Sequence, residues 1–421
     1  MNEREFEIRL RDLIIPHILY LSRYTTGLTA KTLKRLNTNL VKAVQPVVAA
    51  ALAKIDDRGI NMSAATRRVV DAEIKKVRVA VDKAVKPVTD DLLSELTDLA
   101  GDEAAFVPRA LRAVKKSVTQ DAKIEADRIF REATARAKEA QATHDDAVKA
   151  ARDGGRTPPS PPKDVTPPKR KPMVNLEVQF PTRDLAPKLA RAIVETSPMS
   201  GRHLKSWADR FSQDTQDRIE AAIRNGLSEA KTSDQIVRDI VGTRKSGYTD
   251  GIVLGERRRD MEALVRTAVN HVHNVAAQMS YAENDDVVKG WKYLATLDYR
   301  TTKFCASRDG KKYELGKGPI PPNHVRCRSI SQPITLTMRE LGVDLDEGTP
   351  LTRASMNGPV SGDETYDTWL RKRSVAEQEE YLGPTRYRAF KTGKLKLQDM
   401  VADDGRTLTL KELRDRHPDA F

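Results

Sequence analysis

Apolar residues recur three and four places apart through much of residues 1–152, the period of an amphipathic helix. In EFEIRLRDLIIPHILYL the stripe is Phe6, Leu10, Leu13, Ile14 and Ile18. In VTDDLLSELTDLAG it is Leu92, Leu93, Leu96 and Leu99, with Thr89 placed to cap the helix and Gly101 to stop it. Residues 117–152 contain no Gly or Pro and are dominated by Ala, Glu, Arg and Lys. That predicts one long exposed helix with a thin packing stripe of Ile124, Ile129, Phe130 and Ala133. Such a helix is marginal in water without a partner, so a neighbouring element or a second copy of the chain is expected against it.

The pattern breaks at residue 153. Seven prolines fall between Pro158 and Pro172 with almost nothing apolar among them, the composition of a semi-rigid spacer. Past it, MVNLEVQF places Val174, Leu176, Val178 and Phe180 in alternation, which predicts a strand. Two helices follow in DTQDRIEAAIRNGLSEAKTSDQIVRDIVG. Gly226 is expected to close the first, Thr232 with Gln235 has the spacing of a capping box for the second, and Gly242 ends it. A longer helix is predicted over ERRRDMEALVRTAVNHVHNVAAQMSYAEN, buried along Met261, Leu264, Val265, Ala268, Val272, Val275 and Met279. WKYLATLD alternates as a strand, and Asp309-Gly310 marks a tight turn. The expected fold is mainly α with an α+β middle domain. It divides into 1–152, a helical assembly region; 153–173, a basic Pro-rich linker; 174–340, an α+β domain; and 341–421, a helical interaction tail.

Composition narrows the function. No apolar run exceeds VVAAALA at 47–53, too short to cross a bilayer, and the charged start MNEREFEIRL does not resemble a secretory leader, so folding in a cytoplasm is expected. A net charge of +13 implies an acidic partner, with double-stranded DNA, bound without sequence preference, the first candidate. Lys169, Arg170 and Lys171 in the linker and Arg257, Arg258 and Arg259 before the long helix are the basic clusters expected to be exposed. Two cysteines exclude a disulfide framework.

Both cysteines lie in one segment, LATLDYRTTKFCASRDGKKYELGKGPIPPNHVRCRSI, which also holds Asp298, Arg300, Asp309, Gly310, Pro322, His324 and Arg328. This segment resembles the phage Mu F-like family, the head morphogenesis or minor head proteins of tailed bacteriophages. That family's motif runs Asp-x-Arg-Thr, a Cys pair, an Asp/Asn-Gly turn, then Pro-Pro-x-His-x-x-Cys-Arg. Arg266-Thr267 matches its Arg-Thr signature, and the tail matches at Trp369-Leu370, Leu382-Gly383, Gly393 with Leu395, and Leu408 to Leu413. The resemblance implies a minor capsid protein present in few copies inside the head near the portal vertex. It would be made in the host cytoplasm and act in head assembly, genome packaging or ejection. The portal protein, and the major capsid or scaffolding protein, are the implied partners.

Where the family often shows Cys-x-x-Cys this chain has Thr302-Lys-Phe-Cys305, and where it often shows Cys-Arg-Cys this chain has Cys327-Arg-Ser329. Three zinc-type ligands remain, Cys305, His324 and Cys327, with Asp298 or Asp309 as candidates for a fourth. A disulfide, a structural zinc or no cofactor at all, with buried thiols beside a histidine, are the three readings of the cysteines. A catalytic alternative would make Cys327 a nucleophile with His324 as base, or use the cluster as a metal-dependent hydrolase or nuclease centre with Asp298 or Glu314 activating water. No oxyanion element or His-Glu pair stands near, so a non-enzymatic role is expected. Asp298 with Arg300 reads as an ion pair and turn cap, and Arg266 as a tie from helix to sheet.

Overall fold

The computed structural model describes residues 5–56, 64–154, 157–160, 175–343, 352–402 and 404–421. It is mainly helical with small antiparallel sheets in the middle and C-terminal parts. Among the described residues no helix is long and apolar enough to cross a membrane.

Two long helices open the chain: α1 (Glu5–Asp56) and α2 (Ala64–Asp153). They pair antiparallel. Lys54 meets Glu73, Asn39 meets the Ala84 carbonyl, Lys31 meets Glu95 and Arg9 meets Asp121. The expected stop at Gly101 does not occur, and Thr89 lies inside the helix with its hydroxyl on the Lys86 carbonyl. The apolar stripe continues on both sides of Gly101, through Leu99, Ala104 and Val107, and burying it outweighs the roughly 1 kcal/mol that an interior glycine costs. Pro108 also sits within α2. Having no N–H, it frees the Ala104 carbonyl, which accepts the Ser280 hydroxyl at 3.4 Å. Beyond Asp121 the helix outruns the start of α1 and continues to Asp153, an arm of about 50 Å at 1.5 Å per residue. Ile124 and Ile129 on this arm are exposed.

The predicted strand at 174–180 is instead a helical turn, α3 (Leu176–Gln179). Asn175 caps it by accepting from the Glu177 and Val178 amides, and among the described residues no strand pairs with it. Leu176 is buried while Val178 points to solvent; Val174 lies outside the described residues. Lys115 of α2, fully buried, holds the following chain by donating to the Phe180 carbonyl and to Thr182 Oγ1 at 2.8 Å.

Next come α4 (Pro187–Thr196), α5 (Leu204–Ser228), α6 (Ser233–Val241) and α7 (Arg257–Glu283). Thr232 and Gln235 form the expected capping box, and Gly242 ends α6. Gly226 does not close α5, which runs on to Ser228; a Cβ there would lie 2.5 Å from Ile236, so the glycine lets α6 approach. One core joins these helices to the first two: Leu36, Leu40 and Val44 of α1 and Val81, Val85 and Leu92 of α2 are buried with Ile219, Ile223, Ile236, Val265 and Val272. The two sides of the Pro-rich stretch are therefore packed into a common interior.

After α7 the chain forms β1 (Val288–Leu294), α8 (Lys303–Arg308), β2 (Lys312–Tyr313) and β3 (Ile330–Thr335), a sheet of order β2-β1-β3. Trp291 pairs with Tyr313, and Tyr293 with Ser331. Asp309-Gly310 turns as expected, with Gly310 at φ +81° and its amide on the Tyr293 carbonyl. A second core packs this sheet on Leu10 and Ile14 of α1 and on Leu111, Val114 and Val118 of α2.

The C-terminal part holds a hairpin, β4 (Thr352–Ser355) with β5 (Gly358–Ser361), and four short helices. These are α9 (Tyr366–Arg371), α10 (Val375–Leu382), α11 (Pro384–Lys391) and α12 (Leu410–Arg416). They enclose a third core of Trp369, Leu370, Phe390, Leu395, Leu408 and Leu413, which also takes in Leu297 and Ala306 from the preceding region. Its matched-motif residues are thus mostly core.

Candidate functional site

The two cysteines and the histidine do converge. Thr302 caps α8 by accepting from the Cys305 amide at 3.3 Å, which sets Cys305 on the first helical turn. The loop carrying the other two follows a cis Pro321–Pro322 bond and turns through a hydrogen bond from the Cys327 amide to the His324 carbonyl at 3.1 Å. Cys305 Sγ lies 3.1 Å from His324 Nε2 and 3.7 Å from Cys327 Sγ. Both thiols are free and buried in the second core, and the Tyr293 hydroxyl donates to Cys305 Sγ at 3.2 Å.

These groups share protons. The S–H of Cys305, then His324 and the backbone amides of Asn323 and Ser329, stabilise charge on Cys327 and hold it at about 3 although burial opposes ionisation. The same contact with Cys327, with burial, pushes Cys305 up, and the bond to Cys327 raises His324 above its ordinary value. The thiol pair thus favours one shared negative charge beside the imidazole. His324 Nδ1 bonds the Val325 carbonyl at 2.9 Å, which aims Nε2 at the sulfurs and at Thr302 Oγ1, 3.1 Å away.

The three donor atoms lie within 4.8 Å of one another, close enough for a common ion. Neither expected fourth ligand is free. Asp309 is held by Arg353 at 2.8 and 3.0 Å and accepts from the Ala295 and Tyr366 amides at 2.7 and 2.6 Å. Asp298 takes Arg328 at 2.5 and 2.7 Å and caps the Arg300 and Thr301 amides at 3.1 Å each. Arg300 is exposed and makes the expected ion pair with Asp298 at 3.8 Å, while Arg328 makes the closer one. Glu314 pairs with Lys317 on the surface. Thr302 and Ser329, the positions where the family pattern often carries cysteine, both contact the node, Ser329 through Cys305 and Tyr293.

The loop is pinned to α7 by residues of modest appearance. Thr267 Oγ1 accepts from the Arg326 amide at 2.9 Å, fixing a residue at φ +59°. Asn270 donates to the Ser329 carbonyl at 3.0 Å, and Asn274 accepts from the Ser331 amide at 2.8 Å. Arg266, expected to make this tie, instead pairs with Glu262 on its own helix at 2.8 Å, because a residue four places away is nearer than the sheet. Periodicity could not rank Asn270 or Asn274 above any other polar helical residue.

The basic clusters divide. Arg257 is buried against the Phe211 ring and paired with Asp260, contrary to the expectation of exposure, since the π-turn before α7 rotates it inward. Arg258 and Arg259 are exposed, and the exposed Arg326 donates to the Arg259 carbonyl at 3.0 Å. Lys169, Arg170 and Lys171 lie outside the described residues.

Residues 213–331, from α5 through the loop and into β3, match the family model described as Phage Mu protein F like protein. This segment is a phage Mu F-like domain. The presence of this domain supports a phage head-morphogenesis protein in general terms. The Mu F-like domain contains the whole cysteine–histidine node and its α7 anchor, whereas α1, α2 and the C-terminal core lie outside the matched residues. Neither the curated proteins nor the solved structures compared with the chain gave a match.

Proposed function

We propose that this is a minor head protein that binds the portal vertex inside the phage head and contacts packaged DNA, acting in assembly, packaging or ejection without enzymatic turnover. The observation that carries this reading is the arm: α2 extends about 50 Å past its pairing with α1 and presents Ile124 and Ile129 to solvent, while its other end is cemented to the Mu F-like domain. Exposed apolar side chains on an extended helical arm suit a docking partner such as the portal or a capsid or scaffolding subunit, or a second copy of the chain. Arg258, Arg259 and Arg326, grouped where the Mu F-like loop meets α7, suit phosphate contacts made without regard to sequence.

In this reading the node of Cys305, His324 and Cys327 is a fastener. It ties the loop to α8, with or without a structural zinc, and those three residues would be the ligands. The test is capture of the portal protein of the same phage by the tagged chain. Ile124→Asp with Ile129→Asp should abolish capture while circular dichroism stays unchanged; undiminished capture would refute the arm as the contact. DNA affinity should fall with salt, and replacing Arg258, Arg259 and Arg326 by Ala should reduce the logarithmic slope by about 2–3, at roughly 0.9 per phosphate. The rival, a virion-delivered hydrolase or nuclease, is favoured by the thiolate character of Cys327. DNA cleavage by the purified chain that is lost in His324→Ala would establish it.

A further inference from the structure

Far from the cysteines in sequence, three helices bring a second set of donors together. Glu103 of α2 is buried, its side chain 2% exposed, and its carboxylate meets His17 of α1 and His273 of α7. His17 Nε2 stands 3.0 and 2.9 Å from the two oxygens, and His273 Nδ1 stands 2.8 Å from Oε2. Only His273 falls within the Mu F-like match.

A carboxylate so deeply buried needs positive charge beside it. The groups within hydrogen-bond reach of its carboxylate are the imidazoles of His17 and His273. Two imidazole nitrogens and a carboxylate are also a donor set that zinc and its neighbours accept. The donor atoms all lie within 4.8 Å of one another.

We propose that His17, Glu103 and His273 form a binding site for a zinc-class divalent cation that clasps the N-terminal helical hairpin to the Mu F-like domain. The ion would sit between the carboxylate and the two imidazoles and bring two units of positive charge to the buried site. Tetrahedral coordination at 2.0–2.1 Å sets neighbouring donors about 3.3 Å apart, so the present contacts must open by only a few tenths of an ångström. The His17 ring is held for this by stacking on Phe106, with centroids 3.6 Å apart and planes at 8°. Its side chain keeps 11% exposure, so the cluster is not sealed from solvent.

Cobalt(II) titration of the full chain tests the site, because a nitrogen and oxygen set gives visible bands without the sulfur-to-metal band that the cysteine node would add. The wild-type chain should bind an equivalent of cobalt lacking sulfur character, and zinc should raise its melting temperature. His17→Gln keeps a donor to Glu103 and should lose that equivalent and the zinc-induced rise, leaving any sulfur band untouched; His273→Gln should do the same. A folded His17→Gln that binds as much metal as wild type overturns the proposal. So does a wild-type titration that shows sulfur-ligated cobalt alone or no binding, which needs no variant.

Discussion

Removing the Asp309 carboxylate should cut the tie between the Mu F-like domain and the C-terminal core. The side chain is wholly buried and accepts four hydrogen bonds, two from Arg353 of β4 and one each from the Ala295 and Tyr366 amides. Arg353, 10% exposed, would keep only the carbonyls of Ala295 at 2.6 Å and Glu364 at 2.7 Å. Asp309→Ala therefore leaves a buried cation and two amides unsatisfied, and breaking such a pair from one side costs about 3–5 kcal/mol. Unfolding entropy of about 2.1 cal/mol/K per residue, taken over 421 residues, is roughly 0.9 kcal/mol/K, so a cooperative transition should drop by about 3–6 °C. Scanning calorimetry measures that drop, and hydrogen exchange at Tyr366 should quicken more than at α1. Asp309→Ala with Arg353→Met, which removes both charges, should recover part of the loss, giving a coupling energy in the double-mutant cycle. A single-variant cost below about 1 kcal/mol, or costs that simply add, would refute the claim that this pair joins the two parts.

Three further outcomes follow from the same contacts. Deleting residues 1–152 strips Val81, Val85, Leu92, Leu36 and Leu40 from the core of α5–α7, so the remainder should be molten or insoluble; a dispersed amide spectrum from 174–421 alone would contradict this. Thr302→Cys with Ser329→Cys restores the family's fuller cysteine pattern around the node and should bind zinc measurably tighter than the parent by competition with a chromophoric chelator; equal affinity would show that those positions do not face the ion. Lys115→Met removes the buried donor to Phe180 and Thr182, and should cost about 1–3 kcal/mol with faster amide exchange across 176–183; unchanged exchange there would count against the tether.

Local patterns carried much of the fold. Helical spacing gave the helical character of residues 1–152 and α5–α7, the Thr232-Gln235 box and the Asp309-Gly310 turn appeared where expected, and Cys305, His324 and Cys327 met as a group. The failures have a common cause, since each depended on what lies across space. VQF alternates, but nothing pairs with it, so an Asn175 cap decided the matter in favour of a helical turn. Gly226 resembled a stop signal, and only the position of Ile236 shows that it is a contact. Arg257 belongs to a basic triplet by sequence and to the core by geometry. Arg353 lies 44 residues from Asp309, and His17 lies 86 from Glu103, distances at which no periodicity speaks.

The common interior shared by the chain on either side of the Pro-rich stretch also bears on how such a gene can be rearranged. A junction cut at residues 153–173 and joined to a relative's front half would be neutral if two independent bodies met there, yet it sets Ile219 and Val265 against foreign counterparts of Leu36 and Val85. Working chimaeras should instead require both halves to be inherited together, or compensating changes along that seam. The visible spacer is thus a poor place to splice, and the packing of α2 against α7 sets the unit of exchange.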